Sequence, residues 1–345
     1  MPLLVALSAM GTRFEFVLAG EPDAPPVRAL AEEALAIVAE LDRRLSRFRR
    51  DGLPAALARA AAAKEQDGDD DGDGTLRGTR EEIVLLELCR RAHARSGGAF
   101  DPAHHSWPDT AAPDAALAPA TFADVRIVRR DRRVGVPACA APLDFGAVAK
   151  GYALDLAVRA LARGGVRAGL LHGGTSSVVA LGAPPGRATW RVAVRDPADD
   201  GEPPRALATV ALRDAALSVS APHGSTREAG GRRVGHVVDP RDGAPVERVR
   251  VAAVVARHGA TSEVASTALL VRAERTIRAA AVADPPALRR RLLACADLLP
   301  PAAAALVAFE AGGALHSVLL GSHAAVFSDV AAPRAFAVPC PETSP

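Results

Sequence analysis

Alternation of apolar and polar positions opens the chain. Residues 3–19 carry it on both sides of Gly11-Thr12, which predicts a β-hairpin with its turn at that dipeptide. Residues 27–47 change to helical spacing. Leu30, Ala34, Ile37, Val38, Leu41 and Leu45 form one stripe, with Glu32, Glu33, Arg43 and Arg44 between them. The stretch 63–79 is low in complexity and acidic, and is expected to be a flexible, solvated surface loop. A second helix is predicted over 80–95, ended by Gly97-Gly98, and a Pro/Ala-rich loop over 108–120. Short strands follow near 125–128 and 134–136, then a helix over 147–163 closed by Gly164-Gly165. Leu170-Leu171 and 177–181 flank a Gly-Gly turn. Further strands are expected at 190–194, 208–212, 216–219 and 249–255, a helix at 261–273, and a hairpin over 303–320 around Gly312-Gly313. Strands and helices intermix with no regular βαβ repeat, so the fold class is α+β or mixed α/β.

Composition narrows the function classes. The chain has 345 residues, 49% of them hydrophobic but only 3% aromatic, so its core is built from Ala, Leu and Val. A formal charge of +2 gives no general basic face for nucleic acid. Cys89, Cys139, Cys295 and Cys340 form no C-x-x-C pair and no zinc spacing, and are expected to be reduced and mostly buried. The first residues lack a basic segment and run directly into an alternating strand, unlike a signal peptide. No stretch is long and apolar enough to span a bilayer, and a cytoplasmic location is the expectation.

Several segments could carry chemistry, each with a plainer structural alternative. Asp69, Asp71, Asp73 and Gly74 match the start of a calcium loop, but the closing acid is expected at Arg80 and the nearest is Glu81, one place late. Leu143 to Tyr152 runs through Asp144 and a small-residue turn to Lys150 at a helix start. That arrangement suits an anionic group such as pyrophosphate, or is a simple strand-to-helix turn. Leu170 to Ser177 contains paired glycines whose amides can face a ligand, or form an ordinary tight turn. His236 opens the run to Gly243, where Asp-Pro and Asp-Gly end a strand. It is a candidate general base near neutral pH, or a structural histidine. Glu263 and Thr267, four apart, share one face of a helix with Ser266 beside them. These are hard oxygen ligands suited to magnesium, or a capping signature. Asp101, before Pro102, and Asp196, before Pro197, each place a carboxylate at a turn.

Taken in order, the segments at Met10-Gly11-Thr12, Phe100-Asp101-Pro102, 143–152, 165–174, Trp190 to Pro197, His236 to Pro240 and 262–268 resemble the ApbE-like family of FAD:protein FMN transferases. The resemblance implies a single ApbE-like, T-fold-related domain over 1–325, with mixed sheets flanked by helices and a C-terminal tail at 326–345. It also implies FAD as donor, Mg2+ as cofactor, AMP as leaving group, and a Thr or Ser hydroxyl of a flavoprotein as acceptor, with neither nucleic acid nor membrane insertion. Carried to this chain, Met10 and Asp101 lie along FAD, Lys150 near its phosphates and Val238 in the flavin pocket. The carbonyl of Ala147 with Glu263, Ser266 and Thr267 surrounds the metal, and His236 takes the acceptor proton. An FAD pyrophosphatase or a non-catalytic flavin binder are the alternatives. The chain departs from the family pattern in having Glu263 for the usual Asp, Thr175 where Asp usually follows the Gly-Gly turn, Val219-Ser220-Ala221 for Thr-Ser-Gly, and Asp51-Gly-Leu-Pro-Ala-Ala-Leu57 where the segment after Ser46-Arg-Phe48 usually carries Ser-Glu-Leu-Ser and Asn.

Overall fold

The computed structural model describes residues 2–19, 27–67, 74–104, 120–137, 143–197, 199, 204–222, 226–229, 232–280, 284–323 and 326–330. The acidic run at 68–73, most of the Pro/Ala-rich stretch, Cys139, Cys340 and residues 331–345 lie outside them.

The chain begins with the expected hairpin, β1 (Leu3–Ala9) and β2 (Thr12–Leu18), then α1 (Val27–Leu45) and α2 (Leu53–Asp67). Next come β3 (Leu76–Arg77), α3 (Arg80–Ser96), β4 (Arg126–Val128), β5 (Arg133–Gly135) and α4 (Ala149–Arg163). A run of strands follows: β6 (Gly169–Gly173), β7 (Ser177–Leu181), β8 (Trp190–Arg195), β9 (Ala206–Leu212), β10 (Ala216–Ser220), β11 (Thr226–Ala229), β12 (Arg232–Gly235) and β13 (Val249–Ala256). The long α5 (Gly259–Arg278), α6 (Pro285–Leu293), β14 (Ala304–Ala311), β15 (Ala314–Leu320) and β16 (Phe327–Ser328) complete the order.

An eight-stranded sheet in the order β1-β2-β6-β7-β10-β13-β14-β15 carries the fold, every pairing antiparallel. Its central strands are buried on both faces, which explains why they read as continuous apolar runs. Successive side chains point to opposite faces, and the two cores divide accordingly. Ala252, Val254, Val307 and Phe309 belong to the core beneath α1, α4 and α5. Val251, Ala253, Val255, Leu306 and Ala308 belong to a second core with Val194, Leu207, Val210 and Phe327. The latter come from a three-stranded sheet, β16-β9-β8. The same parity turns Ser177, Ser218 and Ser220 toward the helices, since Val179 and Ala216 lie in the helix-side core and Val178 and Leu217 in the other.

Several elements differ from the sequence expectation, among them the short strands β3, β11 and β12; three have a clear physical reason. Residues 53–67 are helical, so the part of the expected loop at 63–67 is helix. Leu53, Leu57 and Ala61 are buried at four-residue spacing, and alanine is the best helix former. The stripe is invisible in sequence because alanine fills both faces. Helix α6 begins at the Asp284 cap, whose carboxylate accepts from Ala287 N, with proline in its first turn. Phe327–Ser328, assigned to the tail by sequence, pairs with β9, and Phe327 is buried. Cys89 and Cys295 are free and buried. No helix among the described residues is long and apolar enough to cross a membrane.

Helices α4 and α5 meet backbone to backbone at their first turns. A Cβ built on Gly151 would lie 2.4 Å from the Gly259 carbonyl carbon and oxygen and 2.8 Å from Ala260 N. Alanine normally stabilises a helix interior relative to glycine by about 1 kcal/mol. Here the sign is reversed: Gly151→Ala is expected to lower stability in urea unfolding by about 1–3 kcal/mol, the usual cost of overpacking.

Candidate functional site

The close approach of α4 and α5 puts each helix's acid on the other's N-terminus. The first N–H groups of a helix have no intrahelical partner. In α4, Gly151 N donates to Glu263 Oε2 at 2.8 Å. In α5, Gly259 N and Ala260 N donate to Asp155 Oδ1 and Oδ2 at 2.7 and 3.0 Å. His258, the residue that precedes α5, makes no side-chain cap of its own. Burial pushes the Asp155 carboxyl above its ordinary range, against these two N–H bonds, and Glu263 nearby adds to the rise.

Glu263 is the centre of this junction and is only 3% exposed. Ser177 Oγ donates to its Oε1, and the Lys150 ammonium lies 3.5 Å from the same oxygen. Lys150 also donates to Gly146 O at 3.0 Å, the carbonyl next to that of Ala147. Ser266 and Thr267 continue the same face of α5. Ser266 Oγ lies 3.0 Å from Ser218 Oγ and 2.8 Å from Ser220 Oγ, and Ser220 Oγ lies 3.3 Å from Thr267 Oγ1. Ser266 also donates to Glu263 O at 3.0 Å. Lys150, Glu263, Ser266, Thr267 and the turn bearing Ala147 are thus joined by direct contacts or through sheet serines.

The other sequence candidates sit on segments held by contacts of their own. Met10 has a left-handed φ of 51° in the tight turn with Gly11 at 70°, and its N–H donates to Asp42 Oδ1 at 2.9 Å. That turn abuts the Gly-Gly turn before β7: a Cβ on Gly174 would lie 2.4 Å from Thr12 Oγ1. The Asp101 carboxylate is engaged locally. It accepts from Ala103 N at 2.8 Å and Phe122 N at 3.1 Å, and lies 3.4 Å from His93 Nδ1. It shapes the loop whose Pro102 carbonyl receives Asp144 N at 2.7 Å. Asp144 in turn accepts from Gly146 N at 2.7 Å and pairs with Arg47 at 3.2 Å.

His236 and Val238 are half-buried on the segment leaving β12. A Cβ on Gly235 would lie 2.3 Å from Pro222 O, so this segment starts against the chain leaving β10, just beyond Ser220. Val238 bridges Pro245. Buried Asp239 fixes the turn through Arg241 Nε at 2.7 Å, Arg241 Nη2 at 2.7 Å and Arg275 Nη1 at 3.1 Å. Burial pulls the Asp239 carboxyl upward, but the Arg241 and Arg275 guanidiniums prevail and hold it below the ordinary range.

Sequence reasoning missed several groups. Asp155 and Ser177 sit 104 and 86 residues from their partners Gly259 and Glu263, and no local spacing reveals such pairs. Phe48 is 77% exposed, with the Arg47 guanidinium 4.3 Å from its ring centre and the same Arg47 paired with Asp144. An exposed aromatic ring held beside the turn at 144–147 is suited to stacking on a planar ligand. His104 follows the Asp101 loop, and burial lowers its pKa while Asp101 and Asp239 pull the other way.

A divalent cation fits the donor chemistry here. One buried carboxylate, a threonine hydroxyl and a backbone carbonyl are hard oxygen donors. Glu263 and the 146–147 turn already share a positive charge, the Lys150 ammonium. Among the described residues there is no cluster of three His, Cys, Asp or Glu side chains. Hard oxygen donors of this kind would suit magnesium, which keeps sites for substrate phosphates, better than zinc.

A profile of the ApbE family matches residues 10–289. The chain belongs to the ApbE family. It is 36% identical to the FAD:protein FMN transferase of Rhodobacter capsulatus over 55% of this chain and 38% of that protein. It is 31% identical to the FAD:protein FMN transferase of Treponema pallidum (strain Nichols) over 64% of this chain and 65% of that protein. The matches thus span less than two thirds of either relative's length. The crystal structure of apo Pseudomonas stutzeri flavinyl transferase ApbE superposes with a TM-score of 0.72 at 23% identity, covering 95% of this chain and 97% of that one. The ApbE fold expected from sequence is the fold observed.

The lowered Asp239 pKa predicts a pH signature. A carboxylate with a depressed folded pKa contributes stability above its unfolded value, about 3.9, and loses it as pH falls through the folded one. Asp239→Asn is expected to cost about 2 kcal/mol at pH 7, less than a fully buried pair because both arginines reach solvent. The gap between variant and wild type in denaturant melts is expected to narrow as pH falls below about 3.9 and through the lowered folded pKa.

Proposed function

We propose that this ApbE-family chain is a Mg2+-dependent FAD:protein FMN transferase that attaches FMN to a Thr or Ser hydroxyl of a flavoprotein and releases AMP. The observation that carries the reading is the buried Glu263 carboxylate at the α4–α5 junction, facing Lys150 and flanked by Ser266 and Thr267. The relatives named FAD:protein FMN transferase support it.

In this reading Glu263, Thr267 and the Ala147 carbonyl hold the cation, with Ser266 beside them. When bound there, a cation would supply charge neutralisation and Lewis-acid polarisation at the FAD diphosphate. Lys150, on the first turn of α4, adds positive charge at the phosphates. Met10 and the Asp101 loop line the donor, Val238 borders the flavin, and Phe48 offers a stacking face. His236 accepts the proton of the acceptor hydroxyl. The hydroxyl oxygen bonds to the FMN phosphorus, the bond to the bridging oxygen breaks, and that oxygen leaves with AMP. Reactions of this type depend mainly on positioning and charge neutralisation, so the carboxylate matters more than the base.

The test is incubation of the full chain with FAD, Mg2+ and a flavoprotein acceptor, assaying AMP and the acceptor's mass. AMP release with FMN on the acceptor is expected. AMP without acceptor mass would mean a pyrophosphatase, and intact FAD without AMP a flavin binder. Glu263→Ala is expected to abolish AMP release. His236→Ala is expected to slow transfer by about 10²–10⁴-fold with FAD affinity retained; equal loss of both would make His236 structural.

A further inference from the structure

We propose that Ser177 is a positioning residue that sets the orientation of the Glu263 carboxylate for its cation, an inference that rests on the reading above. Glu263 carries its carboxylate one methylene further out than an aspartate would, with one more rotatable bond. A longer acid occupies a defined place only if other groups fix it. The structure supplies two fixed donors. Gly151 N holds Oε2 at 2.8 Å, and Ser177 Oγ holds Oε1. The third contact, Lys150 at 3.5 Å, comes from a long, half-buried side chain that also reaches Gly146 O.

Ser177 is well placed for this task. It is 2% exposed and stands on β7, directly across from Ser218 on β10. Ser218 and Ser220 contact Ser266, and Ser220 also contacts Thr267. Each α5 side chain assigned to the cation therefore rests on a sheet hydroxyl, and the one under the carboxylate is Ser177. With Ser177 on one oxygen and Gly151 N on the other, the plane of the carboxylate is defined, leaving lone pairs for an incoming cation. Outer groups that orient ligands in this way typically govern metal affinity by about 10–100-fold.

Ser262 provides an internal control. It too is a buried serine between α5 and β10, donating to Ala216 O at 3.3 Å and His258 O at 3.1 Å, but none of its hydrogen bonds reaches Glu263. The experiment compares the full-length wild type, Ser177→Ala, Ser177→Thr and Ser262→Ala. Mn2+ binding is followed by electron paramagnetic resonance with FAD present, and exchange of the Gly151 amide proton by NMR without metal. Ser177→Ala is expected to weaken Mn2+ binding by about tenfold or more and to speed Gly151 exchange. Ser177→Thr, which keeps the hydroxyl, is expected to restore both, and Ser262→Ala to leave Mn2+ affinity unchanged. Wild-type affinity in Ser177→Ala, equal losses in Ser177→Ala and Ser262→Ala, or no recovery in Ser177→Thr would overturn the proposal. If the wild type itself takes up no Mn2+, the cation reading fails. Gly151 exchange then decides alone: faster in Ser177→Ala upholds the role of Ser177 in holding Glu263, and unchanged exchange removes it.

Discussion

Two helices can touch along their backbones only where neither carries a side chain, and the contact of Gly151 with Gly259 is such a place. The approach is close enough that the acid of each helix reaches the exposed amides of the other, Glu263 to Gly151 N and Asp155 to Gly259 N and Ala260 N. Helix N-termini favour negative charge, so this reciprocal arrangement satisfies the orphan amides of both helices with carboxylates that would otherwise be costly to bury. It also explains why a carboxylate stands at the centre of a largely apolar interface.

The eight-stranded sheet turns that junction into a site. Its two-residue periodicity sends Ser177, Ser218 and Ser220 to the helix side, beneath Glu263, Ser266 and Thr267. Four further segments carry candidate residues: the Met10 turn, the Gly-Gly turn before β7, the loop at 101–104 and the segment carrying His236 and Val238. Each is fixed by its own contacts, Met10 to Asp42, Thr12 against Gly174, Asp144 to Pro102 and Asp239 to Arg241 and Arg275. The rigid centre is built from regular structure and the periphery from turns, an arrangement suited to holding charge at a fixed point while accommodating an extended ligand.

Much of the framework was legible in the sequence because its signals are local. The α1 stripe, the Gly97-Gly98 stop of α3, where Gly97 is left-handed, and the hairpin alternation of β1 and β2 each depend on residues a few places apart. The elements that escaped had locally flat patterns. Alanine hides the buried face of α2, and β16 is too short to show alternation. The ordered family segments pointed to Glu263, Lys150, Ser266 and Thr267 as a group.

By itself, the sequence determined the fold class, the order of most elements, the family and the chemical types gathered for the site, because periodicity, caps and turn residues act over short distances along the chain. The tertiary structure alone decided what each of those groups touches. Asp101 is engaged in tying its own loop, Glu263 caps a helix 112 residues away, and Ser177 and Asp155 enter the site at all, because hydrogen bonds between distant segments follow from how helices and sheet pack and leave no spacing for a sequence to display.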